Sequence, residues 1–329
     1  MPAAAGGPKG LVLGPLDRFL FGEWLPRSDQ PIDLVGASIG AWRMANACMA
    51  DPAAASRRFE HDYIREHYAP PPGRTRPSAA DISAQFARSL DGFYRDRIDE
   101  VLRHPRYRLH VVTARGRHLL RREHTLATPL GYLGAFASNA LHRRALGAWI
   151  ERVVFSSGAG PLPFATADFP TRQVPLGPAN FREALQASCS IPFVLRAVPD
   201  IDGAPRGAYW DGGITDYHLH LRYGGAGGGI VLYPHFQQAV VPGWLDKGLR
   251  WRHRATPALD RMVVLAPHPD WVRTLPNGRL PDRRDFAGYG HDVAARVADW
   301  SRAVSAAEQL ADEWAAWLER PALDRVLPL

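Results

Sequence analysis

Cysteine is scarce in this chain: two residues, Cys48 and Cys189, in 329. Two cysteines build no disulfide framework, and without a CxxC pair they offer no zinc pattern. Cys48 stands in an apolar helical stretch and reads as a small buried hydrophobe. Long apolar runs are missing too. No span of about 18 apolar residues occurs, so no membrane-crossing helix is expected. The opening residues, Met1-Pro2-Ala3-Ala4-Ala5, lack a charged segment followed by an apolar one. No secretory signal is therefore expected, and the default compartment is the cytoplasm. Runs of one charge are absent. The net charge of +7 comes from dispersed arginine pairs such as Arg121-Arg122 and Arg143-Arg144, with no run of five basic residues. Such a field favours anionic partners, including an anionic membrane surface at the periphery. No nucleic-acid motif accompanies it, so no nucleic-acid partner is expected.

What is present is an ordinary globular balance, with 46% hydrophobic and 22% charged residues. That supports a sizeable core. Strand-like runs at 32–35, 107–113, 152–155, 230–233 and 262–265, with a weaker one at 164–166, are separated by helical stretches. Those stretches cover 41–50, most of 53–104, 124–150, 181–187 (with Asn180 as cap) and 291–320. The alternation predicts an α/β fold in three layers, a mostly parallel central sheet with helices on both faces. Residues 11–20 have near-helical spacing that Gly14-Pro15 interrupts. The glycine run 224–229 is followed by no Lys-Ser/Thr, so it reads as a connector rather than a phosphate cradle. Residues 1–290 read as one domain and 291–329 as a C-terminal helix packing on it. In that helix Val293, Val297, Trp300, Val304, Ala307, Leu310, Trp314 and Trp317 recur at spacings of three and four. The stripe suits packing on the domain, and its tryptophans also suit a membrane interface.

The chemistry concentrates in three short motifs. Gly36-x-Ser38-x-Gly40 follows a strand and opens a helix, the setting of a nucleophile elbow. With 30 Gly in the chain, chance supplies this pattern only about 0.1 times. A sharp turn brings strand and helix so close that side chains at Gly36 and Gly40 would clash. A serine needs a base. Asp211, in Asp211-Gly212-Gly213 at a strand end, is one candidate, although Asp-Gly is also a common turn pair. Gly6-Gly7-Pro8-Lys9-Gly10 opens a helix with free backbone amides, which suits an oxyanion.

In this order and spacing the three motifs resemble the patatin-like phospholipase family. The segment 184–193 and the run Tyr209-Trp210-Asp211-Gly212-Gly213-Ile214-Thr215-Asp216 also look similar, and the resemblance spans residues 5–220. It implies a patatin-like three-layer fold and a lipid acyl hydrolase with a Ser–Asp dyad and no cofactor. Ser38 would attack the ester carbonyl and Asp211 would act as general base. Amides around Gly6, Gly7, Lys9 and Gly10 would hold the oxyanion, with Gly36, Gly40, Gly212 and Gly213 as motif glycines. Pro8 has no N–H to give. The family also carries a buried strand before the glycine loop. Here only Met1 to Ala4 precede it, which leaves a truncated strand, a start codon set too late or a reduced member.

Other readings compete. An α/β-hydrolase triad in the order Ser, Asp, His has His218, His220, His235, His268 and His291 to draw on. A catalytically degenerate lipid- or partner-binding member is a third reading. His218 and His220 share a strand face, but no third ligand pattern is near, and no metal is expected.

Overall fold

Strands form here where β-branched and aromatic residues gather between glycine and proline breaks. The computed structural model describes residues 1–224 and 229–329, so the middle of the glycine run lies outside the described residues. Seven strands build a central sheet: β1 (Pro2–Ala3), β2 (Ile32–Ala37), β3 (Tyr107–Gly116), β4 (Ile150–Ser156), β5 (Thr171–Pro175), β6 (Val198–Pro199) and β7 (Ala208–Asp211). β1, β2 and β3 are parallel neighbours, and β4 and β5 are parallel to each other. β4 joins the two groups by an antiparallel pairing with β3. The molecule is thus α/β with a mostly parallel central sheet. Residues 164–166 form no strand; Phe164 makes only an isolated bridge to Tyr223. The strand for which residues 1–4 looked too few exists in short form, as β1 on the sheet edge beside β2.

β3 is the longest strand, and three others share it. β4 occupies one edge. On the other edge β2 covers residues 107–112, and β7 continues antiparallel over 113–115. β6 then pairs with β7.

Along each strand, side chains alternate between two cores. Leu34, Val111, Val153 and Phe155 face one core, and Val35, Val112 and Val154 the other. Over the first face lie α2 (Ile39–Ala47) and, later in the chain, the helix Phe181–Cys189. α1 (Gly14–Phe19), α3 (Pro52–Arg65), α4 (Ala79–Tyr94) and α5 (Ile98–Leu102) complete that side. Gly14-Pro15 starts α1 instead of interrupting a helix, because proline in a first turn lacks only a donor the helix does not use. α6 (Ala127–Leu141) packs on the far end of β3, and the helix 181–189 is α7. The second face is covered mainly by irregular chain. Tyr217, Leu219, Tyr233 and Phe236 fill it, beside the short α8 (Gly213–Asp216) and a two-stranded parallel sheet, β8 (Val231–Pro234) with β9 (Met262–Leu265).

After α9 (Pro269–Thr274) and α10 (Arg284–Gly288), the tail forms two helices, not one: α11 (Val293–Ala306) and α12 (Glu308–Glu319). They part at Ala307. Trp300 and Val304 enter the first core and Ala303 and Ala307 the second, so α11 straddles the sheet edge. No described helix is long and apolar enough to cross a membrane.

Candidate active site

Ser38 follows directly on β2 and starts α2. The tight strand–helix turn sets it at φ 57° and ψ −130°, a left-handed conformation that costs a non-glycine residue about 1–3 kcal/mol. The surroundings hold it there. The Ser38 amide donates to Ser188 Oγ at 2.9 Å, and Ser188 Oγ donates to the Val112 carbonyl at 2.7 Å. The Ser38 carbonyl accepts from the Ala41 amide at 2.9 Å and so opens α2. The Ser38 side chain makes no capping bond to that helix. Close approach explains the flanking glycines. A Cβ on Gly40 would overlap the Ala3 carbonyl, and one on Gly36 the Ala41 backbone.

Strand register brings Asp211 to this serine. Ala37, the residue before Ser38, pairs with Val112, and Asp211 pairs with Thr113. β2 and β7 therefore meet end to end on one edge of β3, and their last residues converge. The end of α7 ties the two together, since Ser188 also accepts from the Gly212 amide through its carbonyl, at 3.2 Å. Asp211 Oδ1 accepts from the Gly213 amide at 2.7 Å. Ser38 is 3% and Asp211 6% exposed. Burial pushes the Asp211 carboxyl above its ordinary value, although the Arg283 cation, the nearby Ser38 hydroxyl and the Gly213 amide pull it back. Among the described residues no hydrogen bond of ordinary length closes between Ser38 Oγ and Asp211.

The glycine loop lies against both. The Ala5 amide donates to the Tyr217 carbonyl at 2.9 Å. A Cβ on Gly213 would come within 2.7 Å of Ala5 Cβ, so the loop touches the Asp-Gly-Gly turn. Gly7 opens a short 3-10 helix, Gly7–Leu13, with Pro8 in its first turn. Among the described residues the Gly6 and Gly7 amides donate to no protein acceptor. Gly6 and Lys9 line a cavity of about 120 Å³ together with Asp211. Gly7 backs onto the Arg283 side chain. A Cβ on Gly10 would come within 3.2 Å of the Ile39 side chain, and Gly10 is not among the residues that line this cavity.

Ile191, Ile214, Tyr217 and Trp244 give the cavity apolar walls. Its rim is cationic, from Lys9, Lys247 and Arg283. Lys9 pairs with Asp282 at 3.7 Å, whereas Lys247 and Arg283 form no ion pair among the described residues. Lys247 is exposed, and its ammonium lies 4.0 Å from the centre of the Tyr217 ring. Desolvation there, and the charges of Arg283 and Lys9, lower its pKa to about 8.

A buried ion pair anchors the turn after Asp211. Arg152 grips both oxygens of Asp216, each at 2.7 Å, and reaches Asp168 and Thr171 with its remaining donors. Against the cost of burial, that guanidinium holds the Asp216 carboxyl below its ordinary value.

The histidines do not join the pair. His218 and His235 are fully buried, and each accepts a backbone N–H on Nδ1, from Val241 at 3.0 Å and Gln237 at 2.9 Å. His220 bonds Thr256 Oγ1 at 2.8 Å, and His268 accepts from the Asp270 amide at the start of α9. None of these, nor His291, hydrogen-bonds Ser38 or Asp211 among the described residues. No group of three or more His, Cys, Asp or Glu side chains among them is arranged to hold a metal.

Sequence reasoning missed Lys247, Arg283 and the Arg152–Asp216 pair. Each joins segments far apart in the chain, and no local pattern announces them. Ser188 lay in a segment already noted, but its bond to the Ser38 amide carries no sequence signal. Compared with known families and with curated proteins, the chain matches no family model and no curated sequence.

Proposed function

We propose that this chain is a patatin-like serine acyl hydrolase that cleaves carboxylic esters of lipids through an acyl-enzyme intermediate. One observation supports the reading above all: Ala37, the residue before Ser38, and Asp211 pair with consecutive residues of β3, and Asp211 lines the cavity. Ser38 Oγ attacks the ester carbonyl carbon while its proton passes to Asp211. The carbonyl oxygen, now negative, faces the unclaimed Gly6 and Gly7 amides; one such donor is worth roughly 10²–10³ in rate. Collapse expels the alcohol, which takes the proton from Asp211. Water then attacks the acyl carbon, gives its proton to Asp211, and the released Ser38 oxygen recovers it as the carboxylic acid leaves. Burial of Asp211 makes the carboxylate a stronger base than in water. The cationic rim favours an ester whose head group is anionic, with Lys247 and Arg283 as free positive charges. The apolar walls suit the acyl chain.

The test is turnover of a p-nitrophenyl ester by the purified chain. Ser38→Ala and Asp211→Asn are each expected to lower kcat by at least about 10³ while the circular dichroism spectrum stays wild-type. His218→Ala, His220→Ala, His235→Ala, His268→Ala and His291→Ala are expected to retain turnover wherever the variant folds. A folded histidine variant with no activity replaces the dyad by a triad. Wild-type chain with no turnover points to the degenerate lipid- or partner-binding reading.

A further inference from the structure

α6 is apolar on both of its faces. Its inner face buries Tyr132 and Ala135 against Trp210 and Ile214. Its outer face presents Leu126, Leu130, Leu133, Phe136 and Leu141 to solvent, with Leu130 60%, Leu133 64% and Leu141 87% exposed. These positions fall on one side of the helix at spacings of three, four and eight, and Ala127–Leu141 contains no charged residue. A helix apolar all round belongs inside a protein or against an apolar partner. Contiguous exposed apolar surface of this kind marks an interaction site.

The patch continues to the mouth of the active site. Ile191 and Pro192 line the cavity, and the next two residues, Phe193 and Val194, are exposed. Phe193 is 59% exposed and held at φ 67°, so a strained backbone presents an aromatic ring to water. Its ring meets that of Tyr132 on α6 edge-on, with centroids 5.7 Å apart. α6 also contacts the turn carrying Trp244, another cavity wall.

Around this apolar surface the charge is positive. Arg121 and Arg122 precede α6, Arg144 follows it, and Arg196 flanks Val194, all exposed. Arg250 and Arg254 are exposed beside the end of α6, placed there by the bond from Arg252 to the Ala140 carbonyl at 3.2 Å. Glu123 is the acid nearest the helix start in sequence, and it pairs with Arg196 at 3.7 Å. A second copy of the chain would bring two such arginine rims together, which opposes dimerisation. An anionic bilayer meets both requirements, with headgroups for the arginines and acyl chains for the leucines.

We propose that the outer face of α6, with the Phe193-Val194 turn, docks on anionic membrane lipid and seats the cavity mouth on the bilayer. The acyl-hydrolase reading gives this docking its purpose, but the binding itself does not depend on it. The test is flotation of the full chain carrying Ser38→Ala with phosphatidylglycerol/phosphatidylcholine vesicles, and with phosphatidylcholine vesicles alone. The chain is expected to float with the anionic vesicles, less so as salt rises. Leu130→Ser with Leu133→Ser, both exposed positions, is expected to weaken partition by at least about tenfold. In the Ser38 background the same two changes leave melting temperature and turnover of a water-soluble ester unchanged. The proposal is overturned if the parent does not float, or if the double variant floats equally well. It also falls if gel filtration finds a dimer that the double variant dissolves while vesicles are ignored. Absence of soluble-ester turnover in the wild type would sink the hydrolase reading and leave the flotation result standing.

Discussion

The amide of Ser38 and the hydroxyl of Ser188 are joined by a buried 2.9 Å hydrogen bond, and that hydroxyl gives its own proton to the Val112 carbonyl. One side chain thus ties the strained serine to the strand beside it. Ser188→Ala leaves two buried backbone groups unpaired, at about 1–3 kcal/mol each. Because the change disturbs the aim of Ser38 and leaves the cavity walls alone, kcat for a p-nitrophenyl ester is expected to fall at least about tenfold with KM nearly unchanged. Wild-type kcat in this variant would mean that the flanking glycines alone hold the turn.

The pH dependence has two limbs of different origin. In the proposed dyad Asp211 works as a base only when ionised, and burial holds its carboxyl above the ordinary 3.8. Activity is therefore lost as pH falls through that raised value, sooner than for a free carboxylate. Arg283→Ala removes a charge that lowers it, so the acid limb of kcat/KM on a neutral ester moves to higher pH. Lys247, lowered to about 8, gives up its charge above that pH. An alkaline rise in KM is expected for a phosphate-bearing ester and not for a neutral one, and Lys247→Ala abolishes the difference. Identical alkaline limbs for both esters would exclude the rim from substrate recognition.

The Arg152–Asp216 pair is expected to matter for stability rather than for chemistry. Arg152→Met strands a buried carboxylate, a change worth about 3–5 kcal/mol. Urea unfolding measures it. Adding Asp216→Leu removes the stranded charge as well and is expected to recover part of the loss. A double variant no better than the single one would show that Asp168 and Thr171, not Asp216, are the partners that count.

Local signals were read well from the sequence. The 32–35 run, the elbow and the helix after it are neighbours in the chain, and β2, Ser38 and α2 follow that reading closely. Asp211 was found through a glycine turn whose tightness is likewise local. Long-range facts were hidden. That β7 would run antiparallel on the free end of β3 depends on what β2 leaves unpaired, and nothing in 208–211 states it. The 164–166 run has strand composition, yet Phe164 makes only an isolated bridge to Tyr223. In the tail, the apolar stripe passes unbroken through Ala307, where the chain turns so that α11 follows the sheet edge and α12 reaches α1. The outer leucines of α6 were read as part of a helix, but only the fold reveals that no other element among the described residues covers them.

β3 carries neither Ser38 nor Asp211, yet it sets the distance between them. Loops and helices lying between Ser38 and Asp211, the end of α7 with Ser188 excepted, can lengthen, shrink or be exchanged without separating the two, provided β3 keeps its count of residues. One residue gained or lost between Val112 and Thr113 shifts one partner by about 3.3 Å and turns its side chain to the opposite face. Descendants of this gene are thus free to remodel much of the chain, while insertions and deletions in one ordinary-looking strand erase the site.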